Sequence, residues 1–382
     1  MFSYLTLDDV DVAGLSVLVR SDLNVPLERG KVSDDFRIRA ALPTLETLVE
    51  RGARVTVCSH LGRPRGIDPA YTMRPVAEKM AELTDVDVGF NTVTTTKSIN
   101  VLENTRFLPG ETTNDPVTAN RLAGGHQLFV EDAFGSVHRA HSSTVGVATL
   151  LRSVAGPLLN AELTALGRFL GEPDRPYVVV LGGAKVSDKL GVIKNLLPRV
   201  DRMLIGGGMC FTFLKVLGYE VGESLVEEAM METVAALIAA DTETHKIHLP
   251  GDVVVGDRFA EDAVVSTVEI AAMTPGSIGL DIGPGTADHF APMIRDAASV
   301  FWNGPMGVFE WAPFRSGTET VARAMGECRG FTSVGGGDSV AALRTLGMED
   351  SVSHVSTGGG AGLELLEGRV LPGVEVLERW VP

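Results

Sequence analysis

Short apolar runs that pass directly into glycine or into a cationic loop recur along this chain. The clearest is Tyr177–Leu181, which leads into Gly182 and Gly183. Val178, Val179 and Val180 are continuous and β-branched, the pattern of a parallel strand buried on both faces. Lys185 follows the glycines and Lys189 comes four residues later, a spacing that on a helix puts both ammoniums on one face. Glycines let an anion approach the backbone, and a helix N-terminus adds unpaired N–H groups. The stretch reads as a phosphate cradle with two cations, the plainer alternative being a strand-turn-helix corner with two solvated lysines. It is not a Walker A loop, since G-x-x-x-x-G-K-[ST] occurs nowhere in the chain.

The pattern divides the chain into two similar halves. In the first, the strand Ser16–Arg20 leads into the loop 21–26. Asp34 or Asp35 then caps a helix carrying Ile38, Leu42, Leu45 and Leu48, in which Pro43 predicts a kink or a restart. Arg54–Cys58 ends in His60, Leu61, Gly62 and Arg63; residues 104–106 follow a short apolar pair; 127–130 runs into 131–135. Residues 157–172 read as a helix between the halves, with Leu163, Leu166, Phe169 and Leu170 on one side, ended by Gly171 and Pro173. Beyond it, strands at 177–181, 203–205, 278–282, 300–302, 331–334 and 352–356 all run into glycine. Six such turns in one sheet imply a phosphate chain lying across strand ends and helix N-termini.

Open α/β sheets bind ligands at those strand ends. Arg37, Arg63, Arg106 and Arg139, with His60, supply charge-assisted donors suited to a small anionic substrate. Each taken alone reads as a surface ion pair; four at loops after strands read as a site. His138 and His141 have ligand-like spacing, but no carboxylate or cysteine in the sequence pattern completes a metal set. Asp338, just after Gly335, Gly336 and Gly337, is either an N-cap or a Mg2+ ligand, because Mg2+ takes one or two carboxylates plus phosphate oxygens. Glu310 is an acceptor for ribose hydroxyls or a solvated glutamate. A Rossmann dehydrogenase is the rival reading, but 283–288 lacks the third glycine of G-x-G-x-x-G and a following acidic ribose ligand.

Composition narrows the class. At 382 residues and 45% hydrophobic, the chain has room for two domains. Its net charge of −16 disfavours nucleic acid as a partner and obliges any anionic ligand to find a local cationic island. No apolar run is long enough for a membrane helix, and no basic and apolar leader opens the sequence. Cys58, Cys210 and Cys328 are far apart and without C-x-x-C, which reads as reduced thiols in a cytoplasmic protein.

The motifs RSDLNVP (20–26), DDFRIRAALPT (34–44), SHLGRP (59–64), LENTRF (102–107), EDAFGSVHRAHSS (131–143), LGGAKVSDKLGVI (181–193), IGGGMCFTFLK (205–215), GLDIGPGT (279–286), FWNGPMGVFE (301–310), VGGGDS (334–339) and STGGGAGLELLEG (356–368) then resemble phosphoglycerate kinases, in order and over nearly the whole chain. The resemblance implies an α/β fold: two Rossmann-like three-layer lobes with parallel sheets, joined by an interdomain helix. The N-terminal lobe would be 1–156, the helix 157–172, the nucleotide lobe 173–370, and the tail 371–382 would return to the first lobe.

It also implies a glycolytic and gluconeogenic enzyme, a cytoplasmic, hinge-bending monomer. Its reaction would be reversible phosphoryl transfer between ATP and the carboxylate of 3-phosphoglycerate, giving 1,3-bisphosphoglycerate and ADP. The acid would lie on Asp22, Leu23, Asn24, Arg37, His60, Leu61, Gly62, Arg63, Arg106 and Arg139. ATP or ADP would lie on Lys189, Gly279, Asn303, Glu310, Gly336, Gly337, Asp338 and Ser339, with Mg2+ on Asp338. Arg37, Lys185, Lys189, Gly358 and Gly359 would act on the transferring group. Two departures stand out. Residues 91–98 replace what would include a helix and an apolar strand, which predicts a weakened sheet near Arg106, and Gly362 stands where serine is usual. A kinase of another small carboxylate, or a relative that binds Mg-ATP without turnover, are the competing functions.

Overall fold

The computed structural model describes residues 3–92 and 97–380. The chain forms two compact units. One runs to Thr164 and resumes at Val370; the other is Ala165–Arg369.

In the first unit β1 (Ser16–Arg20) is followed by a small antiparallel ribbon, β2 (Leu27–Glu28) and β3 (Lys31–Val32), and then by α1 (Phe36–Glu50). The helix is continuous through Pro43, contrary to the predicted kink. Pro43 lies on its exposed face, where water can serve the carbonyl that has lost its helical donor. Asp34 accepts the N–H of Phe36 at 2.9 Å and starts the helix. The unit continues with β4 (Arg54–Cys58), α2 (Arg74–Leu83), β5 (Val88–Phe90), β6 (Ile99–Val101), α3 (Pro116–Ala123), β7 (Leu128–Glu131), α4 (Val147–Leu150) and β8 (Arg152–Ala155). The strands form one parallel sheet in the order β5-β6-β4-β1-β7-β8. Val17, Leu18 and Val19 are fully buried, as expected of a strand covered on both faces.

The predicted weakening near Arg106 is not observed. Ile99, Asn100 and Val101 form β6, buried between β4 and β5. Three residues suffice because Ile99 and Val101 both insert into the core. Of the segment 91–98, residues 93–96 lie outside the described residues.

Helix α5 (Pro157–Leu170) contains the division between the units, which falls after Thr164 rather than at its ends. It stops two residues before the expected 172: Gly171 N–H still reaches the Gly167 carbonyl at 3.0 Å, but Glu172 precedes a proline and is pushed out of the helical region. The second unit contains β9 (Tyr177–Leu181), α6 (Leu190–Leu196), β10 (Arg202–Ile205), α7 (Cys210–Val216), α8 (Met231–Ala240), β11 (Ile247–His248), β12 (Asp252–Gly256), β13 (Val265–Glu269), β14 (Ile278–Ile282), α9 (Pro284–Arg295), β15 (Ser299–Asn303), α10 (Ser316–Glu327), β16 (Phe331–Gly335), α11 (Gly337–Thr345), β17 (His354–Val355) and α12 (Gly360–Leu366). Its main sheet is parallel, in the order β11-β10-β9-β15-β16-β17.

Five of the six glycine-ended strands belong to that sheet. The sixth, β14, pairs antiparallel with β12 in a separate sheet ordered β13-β12-β14. A local strand-to-glycine pattern carries no information on pairing partners, so this could not be read from it. The chain from Val370, including α13 (Pro372–Glu375), joins the first unit, where Gly373 N–H donates to the Val137 carbonyl at 2.8 Å and Trp380 Nε1 to that of Ala148 at 2.9 Å.

Candidate functional site

The first unit gathers its cations at the C-terminal ends of four adjacent strands, β6, β4, β1 and β7. After β1, Asp22 Oδ1 accepts from Arg37 Nη1 at 2.8 Å, fixing that guanidinium in the first turn of α1. Asn24 Oδ1 accepts the N–H of Gly62 at 2.8 Å, and Leu23 N–H donates to Ser59 Oγ at 2.9 Å, so the loops after β1 and β4 are tied together. Asn104 joins the loop after β6 to them. Its amide nitrogen donates to the Leu61 carbonyl at 2.8 Å, and its oxygen accepts from Arg106 N–H at 3.1 Å.

These ties bring the positive groups into one field. Burial, followed by Arg139, Arg63 and Arg20, lowers the Arg106 pKa. Burial, then Arg20, Arg106, Arg139 and His141, pushes His60 down to about 2. His138 and His141 are each pushed down to about 4, by burial first and then by Arg139 and Arg20 respectively. Buried Glu111 offsets part of the charge at Arg106 and buried Glu131 part of that at Arg20, and the positive charge that remains is costly without a bound anion. Arg106 Nε is buried and has no hydrogen-bond partner among the described residues.

Arg20 is a residue of this cluster that sequence reasoning passed over. It ends β1 as an ordinary strand residue, yet it is fully buried and donates to Ser143 Oγ at 3.0 Å and to His60 Nδ1 at 3.0 Å. An arginine can only donate, so Nδ1 accepts and the His60 proton sits on Nε2. The available signal was an arginine at the end of an otherwise apolar strand. A neutral His60 is expected throughout pH 5–8: ring-nitrogen NMR should show one unchanging Nε2–H tautomer, whereas a protonation midpoint within that range would overturn the assignment.

In the second unit the strand order reverses between β9 and β15, the topological switch point where such sheets bind ligands. There Lys189 Nζ donates to Asn303 Oδ1. The backbone N–H groups of Gly182 and Gly183 bond the carbonyls of Asn303 and Pro305 at 3.0 and 2.9 Å. Ser339 Oγ accepts from Gly304 N–H at 2.6 Å, joining β15 to α11. The chains approach so closely that a Cβ on Gly304 would lie 2.2 Å from the Gly182 carbonyl oxygen, and Gly304 also holds φ +96°. Lys189 is half-buried, with its pKa lowered by burial and supported by Asp188, Asp338 and Glu367.

The two lysines do not share a helical face: α6 begins only at Leu190, with Lys189 at its N-cap and Lys185 exposed in the preceding turn. Ser187 anchors that turn on Glu227 through its N–H at 3.0 Å and its hydroxyl at 2.6 Å. Asp338 is exposed in the first turn of α11, whose N-cap is Gly336 rather than Asp338. Gly337 is exposed beside it. Gly279 lies on β14 with its N–H on Ser224 Oγ at 2.9 Å, Glu310 is exposed after β15, and Gly358 and Gly359 precede α12. Among the described residues no hydrogen bond joins these last four to Lys189 or Asn303.

A parallel α/β unit with a cationic cluster at its strand ends, and a second with a lysine beside close-packed glycine turns at its switch point, suit a phosphotransferase. The family model for phosphoglycerate kinase matches residues 7–369. The phosphoglycerate kinases of Salinispora arenicola and Frankia alni are 53% and 52% identical, each alignment covering 98% of this chain and 99% of the relative. Phosphoglycerate kinase from Coxiella burnetii superposes with TM-score 0.93 at 39% identity, over 99% of this chain and 100% of that one. The enzyme from Pyrococcus horikoshii gives 0.83 at 31%, over 98% of each. The chain belongs to the phosphoglycerate kinase family, and it is a kinase.

Proposed function

We propose that the first unit holds 3-phosphoglycerate on Arg63, Arg106, Arg139, His60 and Arg37, with Asp22, Leu23, Asn24, Leu61 and Gly62 shaping the loops. The second unit holds ATP or ADP on Lys185, Lys189, Asn303, Gly279 and the 336–339 turn, with Glu310 on the ribose. The reaction is phosphoryl transfer between ATP and 3-phosphoglycerate, a step of glycolysis, and this chain catalyses it. The observation supporting the residue-level reading is the convergence of Arg20, Arg63, Arg106 and Arg139 at adjoining strand ends in a chain whose net charge is −16.

The acceptor is a carboxylate, already deprotonated at neutral pH, so no general base is needed. A carboxylate oxygen bonds to the γ-phosphorus as the bond to the β–γ bridging oxygen breaks and ADP leaves. The transition state is loose and metaphosphate-like, so catalysis is positioning plus charge stabilisation. Arg37, Lys185 and Lys189, with the Gly358–Gly359 turn before α12, supply that charge; the Gly358 N–H itself is held by Ser356 Oγ at 3.2 Å.

Among the described residues no three His, Cys, Asp or Glu side chains gather to hold a metal alone. A single exposed carboxylate, Asp338, beside a phosphate cradle suits Mg2+, which completes its shell with phosphate oxygens. Bound there, Mg2+ would neutralise charge on the nucleotide phosphates. Three free thiols are the ground for reading the enzyme as cytoplasmic. We read it as a monomer. The lability of the acyl phosphate product to water is the reason to expect hinge-bending.

Steady-state turnover with 3-phosphoglycerate and Mg-ATP, coupled to reduction of the acyl phosphate, should be robust. Absent turnover with Mg-ATP binding retained would instead indicate a different carboxylate acceptor or a non-catalytic role.

A further inference from the structure

The two faces of the first unit's sheet differ. One carries Val55, Val57, Ile99 and Val101 into a core shared with α1 and α2. On the other, β4 and β6 present Arg54, Thr56 and Asn100, where a parallel strand covered on both sides, such as β9, is apolar throughout. Only residues 91–98 connect β5 to β6, whereas a helical crossover takes about a dozen residues or more. The polar face lines a cleft of about 1130 Å³. None of the residues assigned to 3-phosphoglycerate borders it, so it is separate from the cationic cluster.

The cleft has a charged end and an apolar end. Arg54 starts β4, in register with Ser16 at the start of β1, and the Ser16 hydroxyl meets His126 Nδ1 at 3.0 Å. Arg121 stands in the last turn of α3, which leads into His126 through Gly124 and Gly125, so both arginines lie at the strand-start end. Both are exposed and, among the described residues, make no ion pair or hydrogen bond through their guanidinium groups. Lys97 at the rim is paired with Asp87 at 2.6 Å. The carboxylate in the lining, Glu103, already accepts from the Thr72 hydroxyl and from the N–H groups of Met73 and Asn104. Asn100 is taken up by Thr92. Phe107, Leu108 and Pro109, beyond the far end of β6, supply the apolar surface with Leu122. We propose that this cleft is a second binding site, for a small amphipathic anion: one acidic group on Arg54 and Arg121, and a flat apolar body against Phe107, Leu108 and Leu122. Pockets of this size that combine apolar walls with a few unengaged polar groups are the usual form of a small-molecule site. Two uncommitted guanidiniums select for an acidic group, which they can bind bidentately.

The test probe is anilinonaphthalene sulfonate, an acidic group on flat apolar rings, with uncharged phenylnaphthylamine as its counterpart. Fluorescence titrations are run with saturating 3-phosphoglycerate and Mg-ADP, which keep the dye from the reaction's own sites without turnover. One sulfonate is expected to bind per chain, and the neutral dye about tenfold more weakly. The double variant Arg54→Glu/Arg121→Glu should lose about tenfold or more in sulfonate affinity. Both positions are exposed, so its unfolding transition and kcat should match those of the unaltered protein. Thr56→Trp, which fills the floor of the cleft, should abolish binding of both dyes; if it does not fold, the charge variant decides alone. Sulfonate binding that is absent, or that is unchanged in the charge variant, overturns the proposal. Equal affinity for the two dyes overturns it as well, because the arginines would then recognise nothing.

Discussion

Arg37→Ala is expected to lower kcat by about two to three orders of magnitude, the usual effect of removing one preorganised donor from a developing oxyanion. The affinity for Mg-ATP should hardly change, because Arg37 belongs to the first unit, where Asp22 fixes it at 2.8 Å. That ion pair explains why the guanidinium is ready before substrate arrives: a long side chain already held in place loses little further freedom on binding. Lys185 is exposed and, among the described residues, has no ion pair like that of Arg37, only the nearby charge of Glu227, so Lys185→Ala should cost kcat less than Arg37→Ala. Single-turnover rates at saturating substrates, with Mg-ATP titrated separately, make the comparison. Full activity in both variants would leave the reaction standing and remove both residues from the chemistry.

The second large effect is expected from one methyl group. Gly304→Ala should destabilise the protein by about 4 kcal/mol or prevent folding altogether, since the new Cβ would meet backbone rather than a movable side chain. The carbonyl oxygen of Gly182 would be 2.2 Å away and its carbonyl carbon 2.4 Å, on a residue whose φ of +96° already disfavours a side chain. Gly304 also follows Asn303, the partner of Lys189, and its own N–H is held by Ser339 Oγ. Any protein that does fold should therefore lose Mg-ATP affinity. Urea unfolding and nucleotide titration check both, and a loss below about 1 kcal/mol would show that the cradle can open to admit the methyl.

Much of this was legible in the chain because the informative residues are local. A strand followed by a cationic loop announces itself in six or seven residues, and Ser16–Arg20, Arg54–Cys58 and Tyr177–Leu181 fall where the pattern puts them. What escaped the pattern depends on partners distant in sequence. Nothing near β14 reveals that it pairs with β12 rather than with the main sheet. Lys185 and Lys189 have helical spacing, but the helix waits until Leu190 while the turn bonds Glu227, forty residues on. Pro43 reads as a break only until its exposed face is known. Arg20 and Glu111 look unremarkable because a partner they share, Ser143, lies at separations of 123 and 32 residues.

The chain leaves the first unit at Thr164 and returns to it only at Val370. During synthesis the second unit, contiguous in sequence, can therefore be complete while the first still lacks its closing segment. Domains commonly fold as they emerge, N-terminal first. Here the earlier-made unit must wait for a segment made after the whole of the second unit, until Gly373 reaches Val137 and Trp380 reaches Ala148. A nascent chain stalled before residue 370 should thus carry a finished nucleotide unit and an anion site that protease still opens.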